Sequence, residues 1–216
     1  MSDIQVSDTA GVAAFLEDLQ QPLSLLELPN IAPGEPAAAR LLAFCQLLLK
    51  WNASLNLTGA RNLADLVHDH LADAFVLGAK VPLGTQVVDV GSGGGLPALP
   101  LAVLRPDLKM TLVEPRTKRV AFLRTAIREL GLNAVVHAGK VEDWSGSPDV
   151  AVSRATFAPE VWVSMALGLV RPQGVAYALL NDHWNQATVP QQQPTGVHTY
   201  RLVRGQTRTL AWFAKG

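Results

Sequence analysis

The stretch Asp89-Val-Gly-Ser-Gly-Gly-Gly-Leu-Pro97 decides how this chain folds. It follows the β-branched run Gln86–Val90 and leads into an apolar run from Ala98. Gly91, Gly93 and Gly95 therefore fall where a strand must turn sharply into a helix. Glycine enters such backbone conformations cheaply and lets a ligand approach the main chain. A dinucleotide fold shares this strand, turn and helix, but its fingerprint has a glycine five residues after the first, and here that position is Leu96. Asp89, two residues before the first glycine, would repel a pyrophosphate and accept hydrogen bonds from an ammonium group. The turn therefore fits S-adenosylmethionine, which carries an ammonium, better than NAD.

Outward from this turn, short β-rich runs alternate with helical ones: Gln86–Val90, Met110–Glu114, Ala134–His137, Val150–Ser153 and Val175–Leu180. Such alternation predicts an α/β fold with a parallel sheet covered by helices on both faces. Two last runs, His198–Val203 and Thr209–Ala214, flank Gly205 and predict an antiparallel hairpin at the sheet edge, giving a mostly parallel seven-stranded sheet. Upstream, a helix is expected around Ala10–Gln20, then a turn-rich piece with Pro29, Pro33, Gly34 and Pro36. Apolar residues recur at helical spacing from Ala37 to Trp51, and Asn62 can cap a further helix running to about Ala79. The expected division is an N-terminal helical extension over 1–80 and a cofactor-binding domain over 81–216.

The net charge is zero, but residues 1–35 hold six acidic residues and no Lys or Arg, so the remainder carries +6. That asymmetry permits an anionic partner without demanding one. No apolar run is long enough to span a bilayer and the N-terminus is acidic, so a cytoplasmic protein without membrane contact is expected. The single cysteine, Cys45, lies in an apolar run and is assigned no chemistry.

Several further residues carry candidate chemistry. Glu114 ends the second strand, where an acid can bridge the two hydroxyls of a ribose. Val141 and Glu142 follow the third strand, where backbone groups beside an acid can hold an adenine. His68, Asp69, His70 and Asp73 invite a metal reading, but His68 and His70 are two apart on a helix and point in different directions. No metal is expected. His70 and Asp73, three apart on one helical face, are placed in support of the glycine turn. Lys118, Arg119, Arg124 and Arg128 form either a solvated helix face or a phosphate contact. Trp184, just past the fifth strand, offers a face on which a base could stack.

These residues also match a known family. Lys50-Trp-Asn-Ala-Ser-Leu-Asn-Leu-Thr58, Arg61, His70-Leu-Ala-Asp73, the run Asp89–Ala102, Thr111–Leu123 with its Lys118, Arg119, Phe122 and Leu123, Val141–Trp144 and Ser153-Arg-Ala155 occur in order. In these pieces the chain resembles the glucose-inhibited division protein B family, small-subunit ribosomal RNA methyltransferases that modify nitrogen 7 of a guanine. The resemblance implies a Rossmann-like class I S-adenosylmethionine-dependent methyltransferase fold, and 16S ribosomal RNA or the small subunit as partner; a monomer is expected, although the sequence does not fix the oligomeric state. The resemblance also implies that Gly91, Leu96, Val141, Glu142 and Arg154 line the cofactor site with Glu114 on the ribose. Arg154 is the candidate to orient the cofactor carboxylate or the incoming base, and Arg208 joins Trp184 and the basic helix as substrate candidates. The chain departs from the family pattern at Leu180 and Asn181, where Lys-Gly is usual, and at Ala98, Ala74 and Lys140. Two other readings remain: a methyltransferase acting on a different substrate, such as a small molecule, and a cofactor-binding protein without activity.

Overall fold

The structure, a computed structural model, describes residues 9–29, 31–181 and 192–216. Four helices come first: α1 (Thr9–Ser24), α2 (Glu35–Leu55), α3 (Leu63–Asp69) and α4 (Ala72–Lys80). Then strands and helices alternate through β1 (Gln86–Val90), α5 (Ala98–Leu104), β2 (Lys109–Val113), α6 (Thr117–Leu130) and β3 (Ala134–His137). A 3-10 turn over Val141–Asp143 leads to β4 (Val150–Arg154), α7 (Pro159–Leu169), β5 (Val175–Leu180), β6 (Gly196–Arg201) and β7 (Thr207–Ala214).

The strands form one seven-stranded sheet in the order β3-β2-β1-β4-β5-β7-β6. The first five are parallel and β7 runs antiparallel to both β5 and β6. Strand order reverses between β1 and β4, and the crevice beyond the carboxyl ends of these two strands is where such sheets bind ligands. The β alternation explains the layering. Val87, Leu112, Val152 and Tyr177 face a core shared with α1 to α6, whereas Val88, Val113, Ala151 and Ala178 face a second core built on α7.

One expected element divides. The helix predicted from Asn62 to about Ala79 is two helices, broken at His70 and Leu71. Asn62 does cap the first, its side chain accepting from the Asp65 N–H at 2.9 Å. The amides of His70 and Leu71 both donate to the Leu66 carbonyl, which closes α3 and turns the chain before α4. His70 and Asp73 therefore do not share one continuous helical face.

The N-terminal helices and the C-terminal hairpin are tied together. Arg204, in the β6–β7 turn, reaches Asp65 and, at 2.6 Å, Asp69. On β6, His198 Nε2 lies 3.1 Å from the Leu26 carbonyl and the Tyr200 hydroxyl donates to Asp73 at 2.6 Å. Among the described residues no helix is long and apolar enough to cross a membrane.

Candidate functional site

The glycine turn is fixed from three sides. The Gly91 and Ser92 amides donate to the Val113 carbonyl at the end of β2. Gly91, Gly93 and Gly95 all have positive φ, at 77°, 55° and 76°, in the region that disfavours any Cβ. Their surroundings differ. A Cβ on Gly91 would come within 2.5 Å of Thr156, and one on Gly95 within 2.4 Å of Leu99, whereas at Gly93 the nearest atom is an Arg119 nitrogen at 3.5 Å. At Gly93 a Cβ would thus make only ordinary contacts, so the backbone conformation and not crowding within the chain asks for glycine there. Beneath the turn, Gly94 approaches the Leu57 carbonyl so closely that a Cβ would sit 2.9 Å from it. Asn52 holds that segment: its side chain donates to the Ala60 carbonyl and accepts from the Thr58 amide, and Asn56 closes α2 with φ of 49°. The run Lys50–Thr58 is therefore the floor on which the turn rests.

Two carboxylates flank the turn. Asp89, at the end of β1, is 1% exposed and its Oδ2 has no hydrogen-bond partner. Burial pushes its carboxyl up to about 7, against the lowering pull of Ser92 and Arg154. Glu114 follows β2 and is buried; its Oε2 accepts from the Gly93 amide and its Oε1 from the Arg116 amide, each at 2.9 Å. Each of its oxygens keeps a second lone pair. Arg119 stands 3.9 Å from Glu114 Oε2. It is thus set against the turn, apart from Lys118, Arg124 and Arg128, which are exposed on α6. Leu96 and Val141 are buried and Glu142 is exposed at the 3-10 turn after β3.

A cavity of about 520 Å³ opens beside the turn, at the carboxyl ends of β4 and β5. Its wall includes His70, Asp73, Arg154, Phe157, Trp162 and Arg208. Turn and cavity adjoin, because Ser153 on the cavity wall donates to the Val90 carbonyl at 2.8 Å and Thr156 lies over Gly91.

The polar centre of the cavity is Asp73, which is fully buried. Tyr200 donates to its Oδ1 at 2.6 Å, Arg208 to both oxygens at 2.8 Å, and Arg154 to Oδ2 at 3.0 Å. Burial alone would raise its carboxyl. Arg208, Arg154 and the Tyr200 hydroxyl outweigh that cost and hold it below the usual carboxylate range. Asp73 is therefore an anion shared by two cations. His70 is held down to about 4 by burial and by the same two arginines, so its imidazole is neutral at physiological pH.

The geometry brings the predicted residues into two groups. Asp89, the three glycines, Leu96 and Glu114 gather at the turn, and His70, Asp73, Arg154 and Arg208 gather in the cavity. Trp184 lies outside the described residues. The sequence does not mark Tyr200, Phe157 or Trp162 as site residues. Tyr200 sits on β6, 127 residues from the carboxylate it serves, and nothing local signals such a partner.

Comparison with known proteins shows the family. Residues 37–202 match the sequence model of the family described as rRNA small subunit methyltransferase G. The ribosomal RNA small subunit methyltransferase G of Neisseria gonorrhoeae is 43% identical over 167 residues, spanning 76% of this chain and 74% of that protein. Its counterpart in Halorhodospira halophila is 35% identical over 191 residues, spanning 86% and 91%. Among solved structures, the M. jannaschii tRNA m1G37 methyltransferase superposes with a TM-score of 0.51 at 15% identity, over 67% of this chain and 49% of that one, a likeness of fold alone. With a family match over most of its length and relatives above 30% identity, the chain belongs to the rRNA small subunit methyltransferase G family.

Proposed function

We propose that this chain methylates nitrogen 7 of a guanine in the 16S RNA of the small ribosomal subunit, with S-adenosylmethionine as methyl donor. The observation that carries the proposal is the unpaired Asp89 oxygen at a glycine turn that adjoins a cavity large enough for a purine. The residues present fit the cofactor. Asp89 can accept from its ammonium, the missing side chain at Gly93 lets a ligand approach the backbone, and Glu114 has lone pairs for a ribose. In this scheme Leu96, after the glycines, and Val141 and Glu142, in the 3-10 turn after β3, hold the rest of the cofactor.

When bound, S-adenosylmethionine supplies a methyl already activated on a sulfonium. Guanine nitrogen 7 has a free lone pair, so the chain has no proton to remove and acts chiefly by positioning. Neutral His70 is consistent with that. Arg154 and Arg208 spend only part of their donors on Asp73, and the rest suit the guanine O6 acceptor; adenine presents an amino donor at that position. The ionised Asp73 offsets the positive charge a purine gains when nitrogen 7 is alkylated. In this scheme residues 81–216 hold the cofactor, while the extension over 1–80 supplies His70 and Asp73. Lys118, Arg124 and Arg128 meet phosphates, and the enzyme works as a monomer in the cytoplasm.

A second reading, a small-molecule acceptor, is favoured by Leu180 and Asn181 on the cavity wall, where the family resemblance would place Lys-Gly. Transfer from labelled S-adenosylmethionine to purified small subunits and their naked RNA, followed by digestion to nucleosides, separates the two. Label in 7-methylguanosine is the expected result. Label in another nucleoside, or none in RNA, would contradict the proposal.

A further inference from the structure

We infer that Phe157, backed by Trp162, is the platform on which the acceptor base stacks. The loop after β4 is held in an unusual course. Ala155 has φ of 53°, a left-handed conformation that costs a residue with a side chain. Thr156 Oγ1 lies 3.2 Å from the Arg154 carbonyl and 3.5 Å from that of Gly91, so the loop is seated against the cofactor turn. This course delivers Phe157 to the cavity wall.

There the Phe157 ring lies 10° from parallel to Trp162, with centroids 6.0 Å apart, an offset stack. Trp162 is a fixed backing. It is 3% exposed, and its indole N–H donates to the Tyr177 carbonyl at 2.8 Å. Phe157 itself is only half-buried, packed at the margin of the α7 core. Trp162 stacks against it, and Phe157 also lines the cavity that presents Arg154 and Arg208. A flat apolar ring beside edge-on hydrogen-bond donors is the environment that a purine requires: face contact gives affinity, and the donors give identity. A long apolar ligand would offer no acceptor to the guanidinium donors that Asp73 does not engage.

This inference rests on the reading that the acceptor is a guanine in RNA, so its test begins with wild-type enzyme. Failure of the wild type to place methyl on guanine nitrogen 7 sinks that reading, whatever the variants do. With the wild type active, Phe157→Ala should lower kcat/KM for small subunits roughly 5- to 150-fold, the range that loss of one base–aromatic stack produces. Phe157→Leu keeps apolar bulk without a π face and should remain impaired, while Phe157→Tyr should return to within about threefold of wild type. Affinity for S-adenosylmethionine, measured by calorimetry, should stay within about twofold in all three, because Phe157 lines the cavity, whose wall does not include Asp89 or Glu114. Wild-type kcat/KM in the Ala or Leu variant would overturn the inference. So would a loss of cofactor affinity matching the loss of activity, since Phe157 would then be shaping the cofactor turn.

Discussion

A buried carboxylate with an unpaired oxygen is costly until a partner arrives, and Asp89 is such a group. Its folded-state value near 7 exceeds the usual 3.8, so between these values the folded apo-protein holds a proton that the unfolded chain has lost. Apo stability therefore falls as pH rises through that window. Asp89→Asn should remove this dependence, melting above wild type at about pH 8 and alongside it at about pH 5. The same substitution should weaken S-adenosylmethionine binding at least about tenfold near neutral pH, because a neutral amide cannot pair with the ammonium charge. Wild-type affinity should fall from about pH 7 to pH 5.5 and the variant's should not. Equal affinities across that range would remove Asp89 from the site. Gly93→Val should abolish cofactor binding, since a branched side chain would fill the space in which the cofactor is proposed to approach the backbone, and a φ of 55° disfavours it. Calorimetry showing unchanged affinity would mean that the cofactor approaches elsewhere. Tyr200→Phe removes one donor from buried Asp73 and should cost about 1.5–3 kcal/mol in urea unfolding; a loss below about 0.5 kcal/mol would show that the two arginines suffice.

At the scale of elements, the α6 face tests the RNA interface. If exposed Arg124 and Arg128 meet phosphates, replacing both with Ala should weaken binding to small-subunit RNA. The log-log salt slope should become shallower by roughly 0.7 for each phosphate of single-stranded RNA that is no longer neutralised, while S-adenosylmethionine affinity holds. An unchanged slope would make this helix a solvated face. Sequence spacing groups Arg119 with these residues, but the turn of α6 sets it against Glu114, so its replacement should register in cofactor affinity instead. The central strands are legible in the sequence because they are short, mostly apolar runs, buried on both faces and set off by flanking Gly, Pro and Asn; β1, β3 and β5 run as the sequence predicts. The break between α3 and α4 is not. Leu66, Val67, Leu71, Ala74 and Phe75 are all buried and continue a helical pattern across it, with no Gly or Pro at the corner. The Leu66 carbonyl shared by two amides makes the break, and that corner is what lets both His70 and Asp73 line the cavity.

Across the whole molecule, the site joins parts that are far apart in sequence. The glycine turn and its two acids can be read directly, because strand, acid, glycines and second acid occur within a short span. The cavity cannot, since Asp73, Arg154, Tyr200 and Arg208 meet only when the C-terminal hairpin closes against α3 and α4. From sequence, Arg208 is a substrate candidate with no partner of its own, whereas the fold gives it a buried carboxylate to hold. A chain of zero net charge can still present basic groups locally: Lys118, Arg124 and Arg128 are exposed on α6, and Arg154 and Arg208 line the cavity. The decisive measurement is a mass-spectrometric map of methylated nucleotides in 16S ribosomal RNA, from cells with and without this protein. One guanine should lose its nitrogen-7 methyl group when the protein is absent and regain it when the wild-type chain, but not Asp89→Asn, is restored. An identical methylation map in both cells, or a methyl missing from a different atom or a different RNA, would contradict the proposed activity.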